Sequence, residues 1–287
     1  MQDFQSGTPN PLKKYFRQAR ISIPLPSRGN FYPQGSLEPT ETGDYPVFPM
    51  TARDEITMKT PDSLVNGQAT VDVIQSCMPN IKNAWDIPVV DLDVILVAMR
   101  IASYGETMDI SIKTPVTGEE KTYSLNLNNI LNDLTNVDYN NRIEVGDMVV
   151  YIRPLSYRDF TKTSLKTFEE QKIFKTLNND SLSEDEKLVK FNDSFKKLTD
   201  ITITTLEKSI LRIDTDGSSV TDPNHIKEFV DNADKSFFKT VLDHIENEKK
   251  KFAIKPLTVQ ATEEEMEQGV PETFEVPVTF DQSNFFG

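Results

Sequence analysis

Cysteine occurs once in the 287 residues, at Cys77, so no intramolecular disulfide can form and a reducing compartment suits the chain. Histidine occurs twice, at His225 and His244, which leaves little imidazole for a metal cluster or a nucleophile–base pair. Glycine is scarce, at 11 residues, and no glycine-rich phosphate loop is present. No stretch of about 20 apolar residues exists that could span a bilayer. The nearest, 87–101, is interrupted by Asp91, Asp93 and Arg100. The first residues are polar and include Asp3, so no signal peptide is expected and the default compartment is the cytoplasm. Positive charge is in deficit: 31 Lys and Arg stand against 45 Asp and Glu, a net charge of −14. That balance disfavours general affinity for nucleic acid or an anionic membrane, which needs clustered cations.

What is present argues for folded protein. Hydrophobic content is 37%, with 17 Phe and 8 Tyr, and the length suits two units. The most informative stretch is Ile23-Pro24-Leu25-Pro26-Ser27-Arg28-Gly29-Asn30-Phe31-Tyr32-Pro33, followed by Pro49-Met50-Thr51-Ala52-Arg53-Asp54-Glu55. Its prolines fix φ and push their predecessors away from helix, while Gly29 supplies a turn position with positive φ. The expectation is a stiff, extended docking ribbon that displays Phe31 and Tyr32, with Arg28 ready to pair a carboxylate. The competing reading is a self-packed turn with Phe31 in the domain's own core.

Those segments, LPSRGNFYP and PMTARDE, together with Thr60-Pro61-Asp62-Ser63-Leu64-Val65-Asn66-Gly67, resemble the N-terminal half of the baseplate hub assembly proteins of T4-like contractile-tailed phages. The resemblance runs over roughly residues 20 to 115. It implies a non-enzymatic part in building the tail baseplate around its hub, as a subunit or an assembly chaperone. Hub or tape-measure proteins are the implied partners, and self-association is a further option. Related sequences are expected to carry a Cys-Pro-x-Cys-Gly knuckle where Thr114-Pro115-Val116-Thr117-Gly118 stands here. Without thiolates this copy retains the turn and not the zinc site.

The pattern along the chain predicts an α+β fold. Residues 1–20 read as an arm whose Lys13, Lys14, Arg17 and Arg20 are either solvated or a strap to an acidic partner. Residues 21–154 read as an α+β domain of short hairpins with helices. In it, Asp62-Ser63 starts a helix running to Cys77, Asp91 caps a buried helix ending at Gly105, and alternation predicts hairpins over 107–127 and 142–153. Residues 155–253 read as a helical bundle, with a capping box at Ser183–Glu186, a turn at 214–219 and helix from Pro223 onward. Residues 254–287 read as an acidic linker and an aromatic tail. Phe280, Phe285 and Phe286 there dock either on the chain's own body or on a partner.

Catalytic readings fare poorly. His244, on a helix beside Ile245, and Cys77, on an apolar helix face, both read as structural. Asp214-Thr215-Asp216-Gly217 resembles the start of a calcium loop but lacks its later acids, so it reads as a turn. The pairs Asp91/Asp93 and Glu119/Glu120 invite comparison with glycosidases. Helix capping explains Asp91 better. Trp85, beside Pro88, reads as core packing rather than an interface anchor. No cofactor or metal is expected. The partner-binding candidates are Arg28, Phe31, Tyr32, Phe280, Phe285 and Phe286, with an enzyme of illegible site as the alternative class.

Overall fold

The structure, a computed structural model, describes residues 10–59, 67–116, 118–176 and 183–278, apart from the side chains of 174–176. It is an α+β fold. Strand β1 (Ile21–Pro24) pairs antiparallel with β2 (Asp44–Val47) and turns Ile23, Tyr45 and Val47 inward. Helix α1 (Ala52–Met58) opens with a reciprocal capping box between Thr51 and Asp54. Helix α2 (Gln68–Cys77) lies between Gly67 and Met78. The expected start at Asp62-Ser63, with Leu64 and Val65, falls outside the described residues. Gly67 is required where it stands: its φ is +78°, and an added Cβ would come within 3.0 Å of the Tyr157 hydroxyl.

Helix α3 (Val89–Tyr104) is apolar nearly all round, as a helix buried on most sides must be. Val94, Ile95, Val97, Ala98, Met99 and Ala102 are fully buried, and Gly105 ends the helix with φ +97°. The hairpin of β3 (Thr107–Lys113) and β4 (Glu120–Asn126) follows the period-two alternation, and α4 (Leu127–Thr135) seals Leu127 and Leu134 against the core. A second hairpin joins β5 (Arg142–Val145) to β6 (Met148–Ile152).

Beyond residue 154 the chain departs from the expected bundle. Helices α5 (Tyr157–Thr176) and α6 (Glu184–Ser209) form an antiparallel hairpin, the second capped by Ser183 and Glu186. Strands β7 (Ile210–Thr215) and β8 (Ser218–Val220) then extend the earlier hairpin into a four-stranded sheet, order β5-β6-β7-β8. The sheet therefore crosses residue 154. Ile210 and Ile213 are buried with the half-buried Leu211 and Arg212 between them, so no period-two alternation marks the strand, and from sequence the helix simply ends near Ile210. Helix α7 (Pro223–Asn232) and helix α8 (Lys235–Lys251), separated by an Asp234 cap, cover this sheet with Ile226, Val230, Phe237 and Val241.

The C-terminal region also differs from an extended linker. Strands β9 (Leu257–Gln260) and β10 (Thr273–Val276) pair, with α9 (Glu263–Glu267) between them. Val259, Phe274 and Val276 pack onto Ile110, Ile112 and Tyr123 of the β3–β4 hairpin. The acidic run is tied down as well. Glu265 pairs with Lys121 at 2.8 Å and accepts from Thr262, which together hold its carboxyl down at about 2.

Candidate functional site

Beyond Pro24, where β1 ends, the proline ribbon is not extended. Leu25 accepts from the Arg28 amide at 2.8 Å and Ser27 from the Asn30 amide at 2.9 Å, so residues 25–31 coil through successive turns. Arg28 (φ 55°) and Phe31 (φ 70°) occupy left-handed backbone together with Gly29. Left-handed φ in an arginine and a phenylalanine costs of order 1–3 kcal/mol each and persists only where surroundings impose it. The prolines stiffen the segment but do not straighten it.

The surroundings that impose it centre on Asp91. Its carboxylate lies wholly inside, in the first turn of α3, and receives the Ser27 amide (2.7 Å), the Ser27 hydroxyl (2.6 Å) and the Tyr32 hydroxyl (3.0 Å). Hydrogen bonds to a buried charge are each worth roughly 1.5–3 kcal/mol. Burial pushes the Asp91 carboxyl up to about 6, while the three donors oppose that rise. Asp91 thus fastens the ribbon rather than capping the helix, where Pro88 stands at the cap with no side-chain bond. Tyr32 is correspondingly turned inward, its phenol pushed up by burial and then by Asp91. The expected display of Tyr32 is replaced by anchoring.

A second polar node holds the arm. Arg17 donates to Pro49 O (2.5 Å), Asp54 (3.2 Å), Ser76 O (2.7 Å) and Ser76 Oγ (2.8 Å). Asp54 also closes the α1 cap through Thr51. Arg20 N donates to Val47 O. Of the basic arm, the Arg17 side chain and the Arg20 backbone therefore serve the chain's own body. Cys77 is buried beside this node, and burial followed by Asp54 pushes its thiol up to about 12, far from nucleophilic.

Arg28 and Phe31 face outward from the anchored ribbon. Arg28 meets Asp138 at 3.5 Å, both side chains exposed, a pair worth well under about 1 kcal/mol. Phe31 is half-buried and stands edge-on to Tyr139, ring centroids 5.6 Å apart. It forms a ridge between two hollows. One, of about 480 Å³, is lined by Arg28, Phe31, Asp138 and Tyr139; the other, of about 200 Å³, by Phe31, Pro33, Arg153, Arg158, Asp159 and Lys208. The 138–141 wall is held from behind by α8. Glu248, buried, accepts the Asn140 amide at 2.9 Å, and His244 bonds Asn140 O at 2.9 Å. His244 is thereby a structural residue, and burial, followed by the Glu248 charge, pushes the Tyr139 phenol up.

Phe280, Phe285 and Phe286 lie outside the described residues. Trp85 stacks on Tyr157 at 5.6 Å within the body. Gly217 (φ +84°) turns β7 into β8, and Ser219 bonds Asp214 at 2.6 Å. Among the described residues, no group of three or more His, Cys, Asp or Glu is placed to hold a metal, and no helix is long and apolar enough to cross a membrane. Asp138, Tyr139 and Glu248 are not legible as site residues, because Asp138 and Tyr139 meet the ribbon, and Glu248 meets Asn140, across more than a hundred positions of sequence. The anchor had a signal: an aspartate inside an apolar helix must find donors.

A protein-family model described as T4 bacteriophage base plate protein matches residues 35–275. The chain belongs to that family. The match extends through α5 to β10, well past the N-terminal segments that carry the resemblance in the sequence, and it begins just after the ribbon. As a phage base plate protein the chain has a structural role in the tail, a virion component interacting with other tail proteins. Comparison with curated proteins and with solved structures gives no match.

Proposed function

We propose that this base plate protein acts without catalysis in assembly of the baseplate hub, docking hub or tape-measure components through the outward face of the ribbon. The observation that carries the reading is the ribbon itself. Two non-glycine residues are held in left-handed backbone by a buried carboxylate, and what they present outward is an arginine and a phenylalanine between two hollows. Arginine and aromatic residues on a rigid frame are what interface anchors are made of, since little conformational entropy remains to be lost on binding. In this reading the protein templates partner components during assembly in the host cytoplasm, as a chaperone or as a hub subunit that stays in the tail. Arg28 and Phe31 are the primary contacts, Tyr32 supports them from within, and Phe280, Phe285 and Phe286 supply a second contact.

The test changes Arg28 and Phe31 to alanine, singly and together, in phage-infected cells. Burial of a phenylalanine at an interface contributes roughly 1.5–3 kcal/mol, so Phe31→Ala should weaken capture of hub complexes about ten- to a hundredfold. Melting temperature should hardly change for Arg28→Ala, whose side chain is exposed, and should fall by only a few degrees for Phe31→Ala, which loses the edge contact with Tyr139, about 0.5–1.5 kcal/mol. Full recovery of hub complexes with the double variant refutes docking through the ribbon. Presence of the protein in purified tails separates hub subunit from chaperone.

A further inference from the structure

We propose that the chain clamps its own C-terminal segment: Phe280 seats in an apolar groove between α4 and the stretch 253–257, which leaves only Phe285 and Phe286 of the tail for a partner. The groove measures about 590 Å³. Leu125, Ile130, Leu134 and Val137 form one wall, and Ile254 and Leu257 the other. Ile130 and Ile254 are only half-buried, so apolar surface remains there for an aromatic ring to cover.

The register of the C-terminal hairpin points to the ring that does so. Strand β10 runs antiparallel to β9, with Phe274 opposite Val259 and Val276 opposite Leu257. The next pair in that register is Pro277 and Pro256, neither of which has an N–H to donate, so the ladder stops. The two segments nevertheless stay together, because Val278 lines the groove beside Ile254 and Pro256. Burial alternates along the strand and past its end: Phe274 and Val276 are buried, Glu275 and Pro277 exposed, Val278 half-buried. The same period of two makes Phe280 the next side chain due inward, about 7 Å beyond Val278. In register it comes level with Ala253, itself part of the groove wall.

Charge and tethering favour this occupant over a foreign one. Asp281 comes next, level with the end of α8, whose last turn is Lys249, Lys250 and Lys251. Lys251 already holds Glu248, but Lys249 and Lys250 hold no carboxylate among the described residues. A ring tethered two residues from the wall meets the groove at an effective concentration in the millimolar range, which a second copy or another tail protein in solution does not match. Phe285 lies five residues beyond Phe280, a reach of at most about 18 Å, so a seated Phe280 holds the outer aromatic pair close to the groove. That consequence rests on the docking reading above; the seat itself does not.

NMR of the full chain, labelled at isoleucine methyls and phenylalanine rings, tests the seat. Cross-relaxation is expected in the isolated protein between the Phe280 ring and the methyls of Ile130 and Ile254. Phe280→Leu should abolish it and move both methyl resonances, while Ile213 in the sheet stays in place. Phe285→Leu plus Phe286→Leu should leave the contacts intact. Phe280→Asp should speed amide exchange over residues 278–281 at least about tenfold, as expected when a buried phenylalanine is lost. Absence of the methyl contacts overturns the proposal. So does their appearance only between differently labelled copies mixed in one sample, which makes a second copy the occupant, or only after hub complexes are added, which makes it a foreign protein. Contacts in the isolated chain, with hub capture indifferent to Phe285→Ala plus Phe286→Ala, uphold the seat and count against the docking reading alone.

Discussion

Changing Asp91 to asparagine should alter the pH dependence of stability in a direction opposite to that of most carboxylates. In the folded protein the Asp91 carboxyl is raised from 3.8 to about 6, with burial the largest cause. The folded state therefore binds a proton more tightly than the unfolded chain. Stability from this group is fully present below the unfolded value, and it is lost as pH rises through the folded one. The full loss is about 3 kcal/mol, a little over two pH units at 1.36 kcal/mol each, of which about 2 falls between pH 4 and pH 7. Asparagine cannot titrate, so the variant should gain about 2 kcal/mol relative to wild type across that interval. At pH 7 the two should lie close together. The variant exchanges charge-assisted bonds from Ser27 and Tyr32 for neutral ones but escapes the cost of a buried charge. Asp91→Ala should behave quite differently: it strands three buried donors, at roughly 1–3 kcal/mol each, and frees the ribbon. Urea denaturation of wild type and Asp91→Asn at several pH values measures the difference directly. Parallel stability curves from pH 4 to pH 7 would refute the assignment of a raised carboxyl to Asp91. Amide exchange at Ser27 and Arg28, slow in wild type and fast in Asp91→Ala, would show that the carboxylate is what holds the turns.

Two further outcomes follow from the packing. Gly67→Ala should cost at least 2 kcal/mol in denaturant unfolding, because positive φ strain adds to a Cβ placed 3.0 Å from the Tyr157 hydroxyl; a neutral substitution would mean that this junction yields. Arg17→Ala should leave Asp54 short of a cation, lower stability by about 1–3 kcal/mol and expose the arm to early proteolysis near residues 10–20, where the wild type resists.

Local rules made much of this protein legible. The hairpin 107–126 declares itself by period-two alternation, α4 by its apolar spacing, and α6 by the Ser183–Glu186 box, because each signal acts over a few residues. The scarcity of cysteine, histidine and glycine likewise turned the reading away from catalysis towards interaction. What escaped was settled by partners far along the chain. The sequence reads as helix to about residue 210 and as a turn over 214–219, yet β6 offered an open edge, and its backbone groups there are satisfied by β7. The acidic stretch 263–267 reads as a solvated linker, yet Lys121 and the Thr262 cap draw it onto the β3–β4 hairpin.

The ribbon shows the same division most clearly. Its prolines and Gly29 determined by themselves that residues 23–33 would be neither helix nor long strand, since φ is restricted whatever the neighbours do. Only the tertiary structure decided which way it faces. Asp91, 59 positions from Tyr32, is buried without a cation, so it recruits Ser27 and Tyr32 as donors. That recruitment turns Tyr32 inward and leaves Arg28 exposed and Phe31 half-buried at the surface. A buried charge must be hydrogen-bonded wherever its donors lie in sequence, and that requirement is visible only once the chain is folded.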